Sequence, residues 1–220
     1  MLNRDLSLYV VLDPRLTAGR ALTDVARAAL DGGATVLQLR DKEASTRDLL
    51  AAAEALATLA HAAGARFIVN DRADVAAAVG ATGVHLGPDD LSIAAARALL
   101  GPEALIGFSA GLPAEARDAE QAGADYLGTG AVYGTSSKED AGAPIGVGGL
   151  ENVLRATGLP VVAIGGVALG RAAPCIRAGA AGVAVITAVT LAADVERAAR
   201  ALRDEVEGAR AWRGGQTHAP

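Results

Sequence analysis

Short runs of β-branched and other apolar residues alternate along the chain with longer Ala/Leu/Arg/Glu segments, whose apolar positions recur three and four residues apart. The first pattern suits strands buried on both faces, and the second suits helices with one buried stripe. Strands are predicted at Leu6–Asp13, Thr35–Asp41, Arg66–Asp71, Gly83–Gly87, Leu105–Ala110, Asp125–Val132, Pro160–Val167 and Gly182–Val189, each followed by a helical segment. Parallel neighbours need crossover helices, and both faces of their sheet must be covered. Eight strand–helix units with no linker-like break therefore predict one α/β domain, a closed (β/α)8 TIM barrel over residues 1–213, with 214–220 as a tail. An open doubly wound sheet is the competing arrangement. It would place a glycine-rich dinucleotide turn after the first strand, where this chain has Asp13-Pro14-Arg15-Leu16-Thr17.

A short repeat supports the count of units. Gly33-Ala34, Gly64-Ala65, Gly80-Ala81, Gly123-Ala124 and Gly179-Ala180 each close a helix just before a strand, where glycine supplies a left-handed cap. Pro174 falls in the seventh helical segment and should kink it or mark a later start.

Composition narrows the partners. A net charge of -5 has the wrong sign for a sequence-independent nucleic-acid or anionic-membrane binder, so cations that serve an anionic ligand must be gathered locally. Cys175 is the single cysteine, which excludes an internal disulfide and a multi-thiolate metal site and fits a reducing cytoplasm. Neither the N-terminal apolar run nor Leu49–Gly64, broken by Glu54 and His61, reads as a signal peptide or membrane span. Nothing in the sequence excludes a homo-oligomer.

The second strand carries the first chemical signal. Period-two geometry puts Gln38, Arg40 and Lys42 on one face and Leu37 and Leu39 on the other, so an amide and two cations enter the top of the barrel and call for an anion. A solvated strand end would explain Lys42 but not Arg40. Asn70-Asp71 ends the third strand and Gly87-Pro88-Asp89-Asp90 follows the fourth, bringing carboxylates from adjacent strands to one rim. Two hard oxygen ligands without a His/Cys cluster suit Mg2+, which takes its other oxygens from water and substrate phosphate. Helix capping is the simpler role for these aspartates, and for Asp90 the two are evenly matched.

Gly128 to Lys138 is a run of small residues, hydroxyls and one cation that cannot build core; it suits a loop closing over a phosphate. Gly165-Gly166 and the Ile186-Thr187 region fall where α/β barrels recurrently bind phosphate, after strands seven and eight. Ser109 ends the fifth strand at the same rim. His85 and His61 read mainly as structural histidines and Cys175 as an inert helical thiol, with no Ser/His/Asp set nearby.

Together, Gln38-Leu-Arg-Asp-Lys42, Asn70-Asp71-Arg72, Gly83-Val-His-Leu-Gly-Pro-Asp-Asp90, Asp125-Tyr-Leu-Gly-Thr-Gly130, Thr135-Ser-Ser-Lys138 and Ile164-Gly-Gly166 resemble, in order and over almost the whole chain, the thiamine phosphate synthase family. The resemblance implies joining of 4-amino-2-methyl-5-pyrimidinylmethyl diphosphate to 4-methyl-5-(2-phosphoethyl)thiazole, or its carboxylated form, with loss of diphosphate first. Carried over by position, Gln38, Leu39, Arg40, Asp41, Lys42, Asn70, Ser109 and Lys138 hold the pyrimidine diphosphate, with Arg40, Lys42, Ser109 and Lys138 acting on the leaving group. Asp71 and Asp90 match magnesium ligands, leaving Asp89 a bystander. Thr135, Ser136, Ser137, Gly166, Ile186 and Thr187 match the thiazole phosphate contacts. Ala131 and Gly134 stand where the family commonly has proline, and Ser137 where it has threonine.

Three other functions compete. A thiazole tautomerase of similar fold would need neither the cationic strand nor the paired aspartates. A sugar phosphate isomerase or decarboxylase would need a Lys/Asp proton-transfer array that the chain lacks. A non-catalytic sensor of thiamine precursors would bind the same ligands and release no diphosphate.

Overall fold

The structure, a computed structural model, describes residues 2–135 and 142–216. A single turn, α1 (Leu2–Asp5), precedes β1 (Leu8–Leu12), and a 3-10 turn at Pro14–Leu16 leads into α2 (Leu22–Asp31). There follow β2 (Val36–Leu39), α3 (Thr46–Ala62), β3 (Arg66–Asn70), α4 (Ala73–Ala78), β4 (Gly83–Leu86), α5 (Ile93–Leu100), β5 (Leu105–Ser109) and α6 (Pro113–Gln121). The chain continues through β6 (Tyr126–Thr129), α7 (Gly146–Leu154), β7 (Val161–Ala163), α8 (Ala172–Ala178), β8 (Gly182–Val185), α9 (Thr187–Thr190) and α10 (Val195–Gln216). The strands pair in sequence order, all parallel, and β8 returns to β1 with Val183 opposite Leu8, closing the predicted (β/α)8 barrel.

All eight predicted strands are present, and each is shorter than predicted. At Gly182–Val189 the second half is helical instead, since pairing stops at Val185 and α9 begins at Thr187. An Ala/Val/Thr run with apolar residues on every face has no period that separates strand from helix. The glycine repeat is found as predicted: Gly33, Gly64, Gly80, Gly123 and Gly179 all have positive φ, and each following alanine N–H bonds the carbonyl five residues back. Pro174 lies in the first turn of α8, where its missing N–H goes unused.

Alternation along the strands divides the core in two. Leu8, Val10 and Leu12 pack outward with Leu37, Leu39 and Phe67 against the helices, whereas Tyr9, Val11, Val36, Ile68 and Tyr126 fill the barrel. Interior glycines make room for the larger side chains. A methyl group on Gly107 would come within 2.5 Å of the Tyr126 hydroxyl and of His85 Nδ1, and one on Gly128 within 3.0 Å of the same histidine.

Overpacking of this kind typically costs about 1–3 kcal/mol. Gly107→Ala is expected to destabilise the fold by about that much, and more than Gly64→Ala, where φ is +69 but nothing lies within 4 Å and the strain is worth about 1 kcal/mol. Urea unfolding of the two variants checks the order.

Candidate active site

Gln38 and Arg40 point into the barrel and are 5% and 6% exposed. The anion that Arg40 calls for is supplied first by the chain itself. Asp13, at the end of β1 and fully buried, lies 3.2 Å from the Arg40 guanidinium and also accepts from the Arg15 amide at 3.0 Å and side chain at 2.9 Å. Burial opposes ionisation of Asp13, yet the bonds and charge of Arg15, followed by the charge of Arg40, outweigh it and hold the carboxyl below the usual carboxylate range. The sequence reading missed Asp13 as a site residue. The signal was present, since period two places it on the face of Tyr9 and Val11, beside Arg40. Arg40 Nε is buried with no hydrogen-bond partner among the described residues, and Arg40 lines one inner cavity with Gln38, Asn70, His85 and Ser109.

Leu39 and Asp41 are placed differently. The Leu39 side chain is buried between sheet and helices, so only its backbone faces the rim, and the Asp41 carboxylate accepts from the amides of Glu43 and Ala44 across a turn.

Above the inner cavity lies an open one lined by Lys42, Asn70, Asp71, Asp89, Asp90 and Ser109. Lys42 Nζ is 3.7 Å from Asp71 Oδ2. Asp71 has φ +62, a left-handed conformation that aspartate tolerates better than most residues and that turns the chain at the rim. One oxygen of Asp90 accepts from the Gly87 amide at 2.7 Å in a turn, and the helix-capping role weighed for it is not found, because the N-cap of α5 is Ser92, whose side chain accepts from the Ala95 amide. Among the described residues no three His, Cys, Asp or Glu side chains gather as a metal cage. Two carboxylates on one cavity nonetheless fit Mg2+, which binds through one or two carboxylates with water and substrate oxygens completing its shell.

His85 is satisfied inside the barrel as expected, and it also lines both cavities. Its Nδ1 is 3.3 Å from the Tyr126 hydroxyl and its Nε2 is 3.0 Å from Ser109 Oγ. Tyr9 and Tyr126 were absent from the candidates; their inward positions in β1 and β6 were legible from period two.

The third cavity is lined by Thr135, Gly165, Gly166, Ile186 and Thr187. Both glycines have positive φ, and a methyl group at Gly165 would come within 2.5 Å of the Ala131 backbone, so the β6 and β7 loops touch only because side chains are missing there. Tyr133 adds a latch: its hydroxyl donates to the Arg171 carbonyl at 3.1 Å, and Arg171 in turn donates to the Gly166 carbonyl at 3.2 Å. Arg20 grips the far end of α9 through the carbonyls of Thr190 and Ala192. Cys175 is buried in α8, and burial pushes its thiol up, away from a reactive thiolate. Ser136, Ser137 and Lys138 lie outside the described residues.

Removing one partner of a buried ion pair strands the other charge, at about 3–5 kcal/mol. Asp13→Asn is expected to destabilise the protein by about that amount at pH 6. A carboxyl whose folded pKa is depressed contributes stability above its unfolded pKa, about 3.9, and loses it as the pH falls through the folded value. The gap between wild type and Asp13→Asn should therefore shrink below about pH 4; urea unfolding across that range checks it, and a constant gap would speak against the ionised pair.

A family model for thiamine monophosphate synthase matches residues 8–189. A thiamine-phosphate synthase of Moorella thermoacetica is 52% identical over 203 residues, covering 92% of this chain and 97% of the relative. One from Natronomonas pharaonis is 49% identical over 209 residues, covering 94% and 98%. Among solved structures, a thiamine phosphate pyrophosphorylase from Pyrococcus furiosus superposes with a TM-score of 0.88 at 42% identity, over 95% of this chain and 99% of that one. With motifs, barrel and near-complete matches in agreement, the chain belongs to the thiamine monophosphate synthase family and is a transferase of thiamine biosynthesis.

Proposed function

We propose that the enzyme joins 4-amino-2-methyl-5-pyrimidinylmethyl diphosphate to 4-methyl-5-(2-phosphoethyl)thiazole, or its carboxylated form, giving thiamine monophosphate and diphosphate in a magnesium-dependent, dissociative reaction. The observation that carries this is the joint lining of the inner cavity by Gln38, Arg40, Asn70 and Ser109, directly below a rim bearing Lys42, Asp71 and Asp90. An apolar wall of Val162, Ile164 and Ile186 beside Gln38 suits a flat heteroaromatic ring with polar substituents. The diphosphate is then assigned to Arg40, Lys42, Asn70 and Ser109 and the thiazole phosphate to Thr135, Gly166, Ile186 and Thr187, with Lys138 added to the first set and Ser136 and Ser137 to the second by the family resemblance alone. Leu39 and Asp41 contribute through the β2 backbone and turn.

The carbon–oxygen bond breaks with its electron pair leaving on the diphosphate, and the thiazole nitrogen captures the pyrimidinylmethyl cation with its lone pair. No strong base or nucleophile is needed. Arg40, Lys42, Ser109 and Lys138 stabilise the negative charge that grows on the departing diphosphate, a job for preorganised donors and charges. Asp71 and Asp90 would hold Mg2+, which when bound supplies further charge stabilisation to the diphosphate. The barrel walls hold the two reactants in order and keep water from the cation.

The thiazole tautomerase gains no support from a buried, half-satisfied Arg40, for which such a reaction has no use. The single reduced-type cysteine favours a cytoplasmic setting; among the described residues no helix is long and apolar enough to cross a membrane.

Diphosphate release and thiamine phosphate formation, followed with Mg2+ and with EDTA, test the proposal. Wild type should need the metal, and Asp71→Asn, which keeps the turn, should lose about 100-fold in kcat/KM. A folded wild type that binds both substrates and releases no diphosphate would leave the sensor in its place.

A further inference from the structure

Four hydrogen bonds join five inward side chains into one series across the barrel. Gln38 Nε2 donates to the Tyr9 hydroxyl at 2.7 Å, and the Tyr9 and Tyr126 hydroxyls are 3.0 Å apart. The Tyr126 hydroxyl is 3.3 Å from His85 Nδ1, and His85 Nε2 is 3.0 Å from Ser109 Oγ. Each hydroxyl owns a single hydrogen, and were the buried Tyr9 oxygen to accept from both Gln38 and Tyr126, its own hydrogen would have no acceptor among the hydrogen bonds of the described residues, so the links run one way from the Gln38 end. The Gln38 amide nitrogen can only donate. Tyr9 accepts that hydrogen and gives its own to the Tyr126 oxygen, which leaves the Tyr126 hydrogen for His85 Nδ1. That nitrogen must then carry a lone pair, and a neutral imidazole with a lone pair on Nδ1 bears its hydrogen on Nε2. Nε2 in turn donates to Ser109 Oγ, so the Ser109 hydrogen is directed to the cavity that Ser109 shares with Asn70, Asp71 and Lys42.

We propose that this polarised series is a positioning device: Tyr9 and Tyr126 fix His85 as the Nε2–H tautomer, and His85 turns the Ser109 hydroxyl hydrogen toward the diphosphate. The second half rests on Ser109 being a diphosphate contact, as proposed above. The opposite polarity would use up the Ser109 hydrogen on His85 and present only oxygen lone pairs to an anion. Burial raises the Tyr126 hydroxyl, and burial together with its neighbour raises Tyr9, so both phenols keep the hydrogen that the series requires. Gly107 and Gly128, which have no side chains to intrude, leave the space that His85 and Tyr126 occupy.

The tautomer can be read directly from long-range nitrogen–proton correlation spectra of the protein labelled with 15N-histidine. The expected result is an unprotonated Nδ1 and a protonated Nε2 at His85 in the wild type. A proton on Nδ1 overturns the proposal whatever the enzyme's activity. The link to the anion is read from binding of inorganic diphosphate with Mg2+ by calorimetry. Tyr126→Phe and Ser109→Ala should each weaken it by roughly tenfold, and Tyr126→Phe should add little in the Ser109→Ala background. Additive losses would mean that Tyr126 does not act through Ser109 and would overturn the positioning role. The expected tautomer in a protein that does not bind diphosphate would overturn the assignment of Ser109 and leave the hydrogen-bond direction standing. Should Tyr126→Phe fail to fold, Tyr9→Phe takes its place in the cycle.

Discussion

A closed parallel barrel puts alternate side chains of every strand into an interior from which water is largely excluded, so any polar group sent there must find its partner among the other strands. Near the N-terminal ends of the strands the interior avoids the problem with Leu6, Val36 and Ile68. Towards the C-terminal ends it becomes polar, and two networks meet the requirement. Asp13 neutralises Arg40, and the series from Gln38 through both tyrosines and His85 reaches Ser109. The glycines of β5 and β6 belong to the same constraint, since a barrel of this strand number has room for large polar rings only where neighbouring strands contribute no side chain.

The same requirement explains why the two cavities and the cleft at Gly165-Gly166 sit on different supports. The end lined by Arg40, Asn70 and Ser109 is built from side chains projecting off strands, whose positions are locked by the ladder and by buried partners. The other end is built from loops, and these are tied down from outside the cleft. Tyr133 and Arg171 link the β6 loop to Gly166, and Arg20, from the segment between β1 and α2, holds the end of α9. That segment also carries Asp13, so one stretch of chain after β1 braces elements of both ends.

Where periodicity alone decided the outcome, the sequence was legible: eight strands, five glycine caps, Leu37 and Leu39 outward, Gln38 and Arg40 inward. It was less legible where long-range pairing decides. Strand ends were overextended because the hydrophobic pattern continues past the last ladder bond, as at β7 and at α9. Asp13, Tyr9 and Tyr126 escaped notice because each takes its meaning from a residue on another strand, and a list of motifs does not contain those pairs. Asp90 was weighed as a helix cap, yet it closes a turn onto Gly87 while Ser92 caps α5, and Asp71 takes a left-handed conformation where β3 ends.

A site proposed to hold an anion contains a buried carboxylate, which at first looks self-defeating. The alternative is worse. Arg40 is 6% exposed, and without Asp13 the free enzyme would carry an uncompensated buried charge, a penalty of several kcal/mol. Asp13 meets that charge through one terminal nitrogen from below and is itself shared with Arg15, so its own negative charge is spread over two guanidinium groups. Arg40 Nε has no hydrogen-bond partner among the described residues, and Arg40 lines the inner cavity. An incoming anion therefore adds a second partner to a cation that is already oriented and need not displace the first. Preorganisation of this sort gives charge stabilisation in the transition state without a reorganisation cost at the moment of reaction, and it lets a protein with net charge -5 gather cations locally.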